Sequence, residues 1–214
     1  MKHKLIIVSG GMDSTTLLHE QKDVIKRAVT FWYGQKHRKE ISFARESCVK
    51  LNIPWMCVDI SNLLPHLKSN LLQTGEEIPE GHYTDENQKL TVVPFRNAIM
   101  LSIACAIAES QDCDTVLIAN HANDFTIYPD CRDQFIQAMA QAMKVGTYAG
   151  IILEAPYTFL TKRKIALIGR SLGIDYGKET WSCYKGGAVH CGKCGTCVER
   201  KEALEGFDTT VYGE

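Results

Sequence analysis

Residues Leu5 to Glu20 read LIIVSGGMDSTTLLHE. The apolar run Leu5–Val8 is short enough to be one buried strand. It stops at Ser9-Gly10-Gly11, and a segment of helical period begins near Ser14. Glycines at such a corner let the backbone approach a ligand closely. The helix behind them presents unpaired N–H groups and a partial positive charge, which together seat an anion. Ser9, Ser14, Thr15 and Thr16 add hydroxyl donors suited to phosphate oxygens. Asp13 alone would repel phosphate, so its presence points to Mg2+ shared between the acid and the phosphate. The stretch has neither the Gly-Lys-Ser/Thr of a Walker loop nor a dinucleotide fingerprint. A plain Gly-Gly turn with a Ser/Asp helix cap is the competing reading.

Outward from this stretch, short β-branched or aromatic runs alternate with longer segments of helical period. Strands are predicted at Lys4–Val8, Arg27–Tyr33, Trp55–Ile60, Thr115–Ala119 and Ile151–Leu153. Helices are predicted to begin near Ser14, His37, Asn97, Asp130 and Thr161. That alternation predicts an α/β fold, a doubly wound and mostly parallel sheet with helices on both faces. Right-handed crossovers would put every strand-to-helix loop on one edge, where such folds bind ligands. The polar segment Ser61–Lys89 is longer than most connections and is expected to form a flap over that edge. Near Lys178 the periodicity ends, which divides the chain into residues 1–178, the domain that carries the anion-binding loop, and 179–214, a small subregion packed on it.

The 214 residues are 45% hydrophobic and 23% charged, with a net charge of −1, and Lys and Arg are spread along the chain. That surface gives no standing attraction for nucleic acid. Leu5–Val8 is far shorter than the apolar core of a signal peptide. No run approaches the roughly 20 apolar residues of a membrane span. A cytoplasmic protein without a membrane partner is the expectation.

A reducing compartment disfavours structural disulfides, so nine cysteines need another reading. Cys48, Cys57, Cys105, Cys113 and Cys131 are scattered in apolar or helical surroundings. Cys183, Cys191, Cys194 and Cys197 fall within fifteen residues, between glycines that allow tight turns. Four thiolates close a tetrahedral shell, so a zinc ion there would be structural and would activate no water. Cys-x2-Cys-x2-Cys also resembles part of a ferredoxin run, which leaves an iron–sulfur cluster as the rival, although Val198-Glu199-Arg200 follows in place of a further Cys-Pro.

SGGMDS, residues Ser9 to Ser14, matches the SGGxDS signature of the PP-loop ATP pyrophosphatases, which split ATP into AMP and pyrophosphate. YGQKH (Tyr33–His37), VPFRN (Val93–Asn97), YPDCRDQF (Tyr128–Phe135) and the tail WSCYKGGAVHCGKCGTCVERKEAL narrow the match. With these stretches in this order, nearly the whole chain resembles the 7-cyano-7-deazaguanine synthase family of the queuosine and archaeosine pathway. His121-Ala122 departs from relatives that carry a Cys-Glu pair there.

The resemblance implies zinc in the four-cysteine site and ATP bound by Val8, Ser9, Gly10, Gly11, Met12, Asp13, Ser14, Thr15, Thr16, Leu17, Leu18 and Asn97, with Mg2+. It implies ATP, 7-carboxy-7-deazaguanine and ammonia as substrates, and a homodimer. Asp13, Arg96 and Lys162 are the expected catalytic set, neutralising developing charge on phosphate or carboxylate. Tyr128, Asp130 and Arg132 are the expected substrate contacts. There the acid would accept from the base edge, and the arginine would clamp a carboxylate. Taken alone, Asp130 and Arg132 read as a helix cap and a helical arginine, and Arg96 and Lys162 as surface cations. Two rival functions stand beside this one. One is a relative that passes the same adenylate to another amine; the other is a PP-loop enzyme that modifies tRNA.

Overall fold

The computed structural model describes residues 3–82 and 86–213. Its elements run β1 (Lys4–Ile7), α1 (Met12–Glu20), β2 (Ile25–Trp32), α2 (Lys39–Lys50), β3 (Trp55–Asp59), α3 (Arg96–Ser110), β4 (Thr115–Leu117), α4 (Asp133–Val145), β5 (Ile152–Glu154), α5 (Lys162–Ser171), α6 (Tyr176–Glu179) and α7 (Gly195–Ala203). The five strands form one sheet in the order β3-β2-β1-β4-β5, and each neighbouring pair is parallel. Strand order reverses between β1 and β4, so the crevice at their carboxyl ends is the place for a ligand.

Adjacent residues of β1 face opposite ways, as the pleat requires. Leu5 packs with Val29, Leu101, Val116 and Ile151 on one face. Ile6 packs with Leu17, Leu18, Ala44, Cys48 and Ile165 on the other. Burial on both faces explains why the inner strands β1, β2 and β4 read as continuous apolar runs rather than as alternating ones.

The stretch Glu86–Ser110 is apolar enough, by length and composition, to resemble a membrane span. Its helical geometry is broken before Arg96, and α3, of 15 residues, packs its Leu101 and Ala104 beneath the sheet.

Ser61–Lys89, expected as a flap, is seated elsewhere. Residues 83–85 of it lie outside the described residues. Leu71, Leu72 and Ile78 are buried with Val93, Trp181, Cys183, Cys194 and Cys197 in a satellite core. Gln35 bridges to Leu72 and Glu80 to Cys194. Its described residues contribute nothing to the cavity lining at the sheet edge. The three buried side chains Leu71, Leu72 and Ile78, with the partly buried Leu64 and Leu67 packed against the same cluster, are what draw it onto the cysteine-bearing tail.

Candidate active site and metal centre

Ser9 follows β1, and Gly10 takes φ +87°, a left-handed conformation suited to glycine. The turn also needs the missing side chain, because a Cβ at Gly10 would lie 2.0 Å from the carbonyl oxygen of Glu40. Gly11 is the N-cap of α1 and supplies no side-chain cap. The loop braces itself with hydroxyls: Ser9 N–H donates to Ser14 Oγ at 3.1 Å, and Gly11 N–H to Ser9 Oγ at 3.3 Å. These are neutral contacts that a phosphate oxygen can replace with stronger, charge-assisted ones.

Of the residues expected to hold ATP, Val8, Ser9, Gly11, Met12, Asp13, Ser14 and Asn97 line one cavity at the switch point. The others do not reach it. Thr16 is buried, donating to the Met12 carbonyl at 2.8 Å and lying 2.7 Å from the Tyr176 hydroxyl. Leu17 and Leu18 belong to the core, and Thr15 is buried beside them. Gly10 acts as the corner that lets α2 approach.

Asp13 is the centre of a buried charge cluster. Its Oδ2 lies 3.1 Å from Lys162 Nζ and 3.5 Å from His121 Nε2. Lys162 Nζ lies 3.0 Å from Glu199 Oε2. His121, 2% exposed, lies 3.6 Å from Asp124 Oδ2. Burial disfavours the charge on Asp13, yet Lys162 and then His121 outweigh it and hold the carboxyl far below its usual range. Burial likewise opposes the charge on His121, but Asp124 and Asp13 push its pKa up to about 9. Lys162, opposed by burial, is held above the ordinary lysine value by Asp13 and Glu199.

Asp13 Oδ1, in contrast to Oδ2, is buried without a hydrogen-bond partner. An orphaned carboxylate oxygen beside a phosphate loop suits a hard cation such as Mg2+, which takes oxygen ligands.

Arg96 also lines the cavity, with Nη1 donating to Tyr33 Oη at 3.0 Å and its guanidinium 5.3 Å from that ring's centroid. Glu40, absent from the sequence expectation, lines it as well and accepts from Gln35 Nε2 at 2.8 Å. Burial raises the Glu40 carboxyl to about 6, with the Gln35 bond and Arg96 acting against that rise. Other lining residues missed from sequence are Tyr33, His121, Asp124, Trp181, Tyr184 and Thr196. Glu40 lies within YGQKHRKE, only seven residues past Tyr33, which was its one available signal.

Tyr128 lines the cavity, but Asp130 and Arg132 do not. Asp130 Oδ2 accepts from the backbone N–H of Asn97 at 2.8 Å, capping the start of α3. An acid there also meets the helix dipole. Asn97 Nδ2 in turn donates to the Asp130 carbonyl at 3.1 Å. Arg132 is exposed, and its Nε donates to the Phe125 carbonyl at 2.9 Å. Asp130 thus caps α3 rather than the helix that follows it, and Arg132, read as helical, is instead the extended N-cap residue of α4. Cys131 is a core thiol whose pKa is pushed well up, chiefly by burial.

Cys183, Cys191, Cys194 and Cys197 bring their sulfurs within 4.8 Å of one another. Four ligands at the usual Zn–S length of roughly 2.3 Å stand about 3.8 Å apart at the corners of a tetrahedron. Cys191 and Cys197 Sγ atoms are 3.9 Å apart. Backbone N–H groups of Cys191 and Cys194 point at Cys183 Sγ and Cys191 Sγ, each at 3.3 Å, as suits thiolate charge. The donor set thus fits a soft, four-coordinate metal.

The profile of the queuosine biosynthesis protein QueC family matches residues 3–208. The chain belongs to that family. A 7-cyano-7-deazaguanine synthase from Porphyromonas gingivalis is 54% identical over 204 residues, covering 95% of this chain and 92% of that protein. One from Caldicellulosiruptor bescii is 47% identical over 203 residues, covering 94% and 91%. Among solved structures, an NH3-dependent NAD synthetase from Campylobacter jejuni in complex with nitrate aligns at 15% identity. Its TM-score is 0.50, over 83% of this chain and 66% of that one. That likeness is one of fold.

Proposed function

We propose that the chain is a 7-cyano-7-deazaguanine synthase, converting 7-carboxy-7-deazaguanine and ammonia to the nitrile at the expense of ATP. The observation that carries this reading is a single cavity lined by both an anion-binding loop and the pair Arg96 and Glu40. Family membership and relatives of that name support it.

A carboxylate is a poor electrophile until one oxygen becomes a leaving group. The substrate carboxylate attacks the α-phosphorus of ATP, forming the acyl adenylate and expelling pyrophosphate. Ammonia adds to the acyl carbon, loses a proton and displaces AMP, leaving the amide. The amide oxygen attacks a second ATP with loss of pyrophosphate. Expulsion of AMP, with loss of the remaining N–H protons, then closes the C≡N bond. Two ATP become two AMP and two pyrophosphate per nitrile.

Ser9, Ser14 and the first N–H groups of α1 grip phosphate, and Lys162 meets charge on the group transferred. Asp13 would hold Mg2+ through Oδ1, which would neutralise the phosphates of ATP. Arg96 binds the substrate carboxylate in bidentate fashion. Glu40 replaces Asp130 as the acid that accepts from the N–H groups of the base. Its carboxylate is held by the Gln35 bond and by the attraction of Arg96, which leaves its second oxygen for the base. The metal of the four cysteines is zinc in this reading, with residues 1–178 as the ATP-binding unit and 179–214 as the subregion it organises. A homodimer in the cytoplasm completes it.

Mass spectrometry of the protein with 7-carboxy-7-deazaguanine, Mg-ATP and ammonium tests the reading. Nitrile with two AMP per product is expected. AMP with amide alone, or with mass added to another amine, would move the assignment to the acylating relative. No AMP at all would reject this substrate.

A further inference from the structure

The metal-bearing helix sends one side chain, that of Glu199, to the lysine that lines the cavity. α7 has Cys194 as its N-cap and Cys197 in its first turn. Glu199 follows two residues later, and two residues along an α-helix turn the side chain by about 200°. It therefore points away from the sulfurs, and it is buried, with its side chain 5% exposed. Its Oε2 lies 3.0 Å from Lys162 Nζ, whose other acidic neighbour is Asp13 Oδ2 at 3.1 Å. Lys162 lines the cavity and Glu199 does not.

We propose that Glu199 is a positioning residue that holds the Lys162 ammonium between the phosphate loop and the metal-bound helix. The inference rests on the reading above, in which Lys162 meets the transferring phosphate. Two carboxylates on Lys162, one from each element, fix the ammonium at a point that neither fixes alone. With Asp13 as its sole ion-pair partner, and only the contact to His121 Nε2 at 3.3 Å beside it, the ammonium could slide over both carboxylate oxygens. The second carboxylate keeps it on Oδ2 and leaves Oδ1 unpartnered, as observed. The four-cysteine site thereby does more than fold a polar tail. Its metal would fix the first turn of α7, and that turn fixes the reach of Glu199.

Glu199→Gln keeps the shape and removes the charge, while Glu199→Asp keeps the charge and shortens the reach. A misplacement of about 1 Å costs on the order of 10²-fold in rate. Positioning therefore predicts a fall of about 10²-fold in kcat for AMP formation in both variants, at unchanged metal content and nearly unchanged KM for ATP. It also predicts faster acylation of Lys162 by a small reagent, read by peptide mass spectrometry. Full recovery in Glu199→Asp would show that charge compensation suffices and would overturn the proposal. So would wild-type kcat and wild-type labelling in Glu199→Gln. Should Glu199→Gln fail to fold, Glu199→Asp carries both readouts. If the wild-type protein forms no AMP, the assigned function fails, and Lys162 labelling still decides the placement by Glu199.

Discussion

The backbone N–H of Trp181 donates to the carbonyl of Gly10 at 2.9 Å. This bond ties the segment entering the four-cysteine site directly to the phosphate loop. Trp181 is buried, its ring 4.3 Å from that of His190 and stacked on Phe43 at 6.0 Å. Thr196 of α7 donates to the Ser182 carbonyl at 2.8 Å, so the wall is tied to the metal helix as well. The cysteine segment is therefore part of the cavity wall, through Trp181, Ser182, Tyr184 and Thr196.

Removal of the metal should free that wall. In a Trp32→Phe, Trp55→Phe background, chelation is expected to shift Trp181 emission to the red and to weaken ATP binding in parallel. Emission that stays blue while the metal leaves would mean the wall stands without it.

Gly10→Ala tests the corner itself. The residue sits at φ +87°, and a Cβ would meet the Glu40 carbonyl at 2.0 Å. Alanine where φ is positive costs more than about 1 kcal/mol, and this collision is with backbone, which cannot swing aside. Urea unfolding should show a lower midpoint, and calorimetry a loss of ATP affinity. A midpoint equal to that of the parent would show that α2 can retreat freely.

Arg96→Lys should not restore what Arg96→Ala removes. A point charge cannot offer the two parallel N–H donors that a carboxylate accepts, and it loses the contact with Tyr33. KM for 7-carboxy-7-deazaguanine is expected to rise by about 10² in both, as for loss of a charged hydrogen bond, with KM for ATP little changed. An equal rise in KM for ATP would place Arg96 on phosphate instead.

Glu40 titrates where activity can report it. Its carboxyl is raised to about 6, so it must be ionised to accept from a base edge. Substrate affinity should fall as pH drops through about 6, and Glu40→Gln should flatten that dependence. The sign on stability is opposite: a folded pKa raised above 4.5 gives stability that is full below 4.5 and lost as pH rises through 6. A pH profile for substrate KM that survives Glu40→Gln would remove Glu40 from the base site.

The sheet was legible because each strand is a short apolar run closed by a loop, and the glycines of SGGMDS mark its ligand edge. What was not legible depends on partners distant in sequence. Asp130 looks like a base-recognition acid until Asn97, thirty-three residues earlier, turns out to need a cap. Thr16 looks like a phosphate donor until Tyr176 claims its hydroxyl from 160 residues away. Glu40 enters the site only because Gly10 lets α2 come close, and the pattern of a surface helix hides that. The four cysteines were readable because their ligand chemistry is local. Glu199, two residues on, was not, because its partner lies on α5.

His121 offers a test of the charge cluster as a whole. Its pKa is raised from 6.5 to about 9, with Asp124 and Asp13 overcoming burial. A group whose folded pKa is raised stabilises the fold fully below its unfolded pKa, and loses that contribution as pH rises through the folded one. Stability should therefore decline between about pH 6.5 and 9, by roughly 3 kcal/mol for a shift of this size. Measured by urea unfolding without nucleotide or magnesium, His121→Gln should be less stable at pH 6 and should lose most of the decline. The difference between the two proteins isolates His121 from other groups that titrate in that range. If their curves run parallel from pH 6 to 9, His121 is neutral in the folded protein and Lys162 alone balances Asp13.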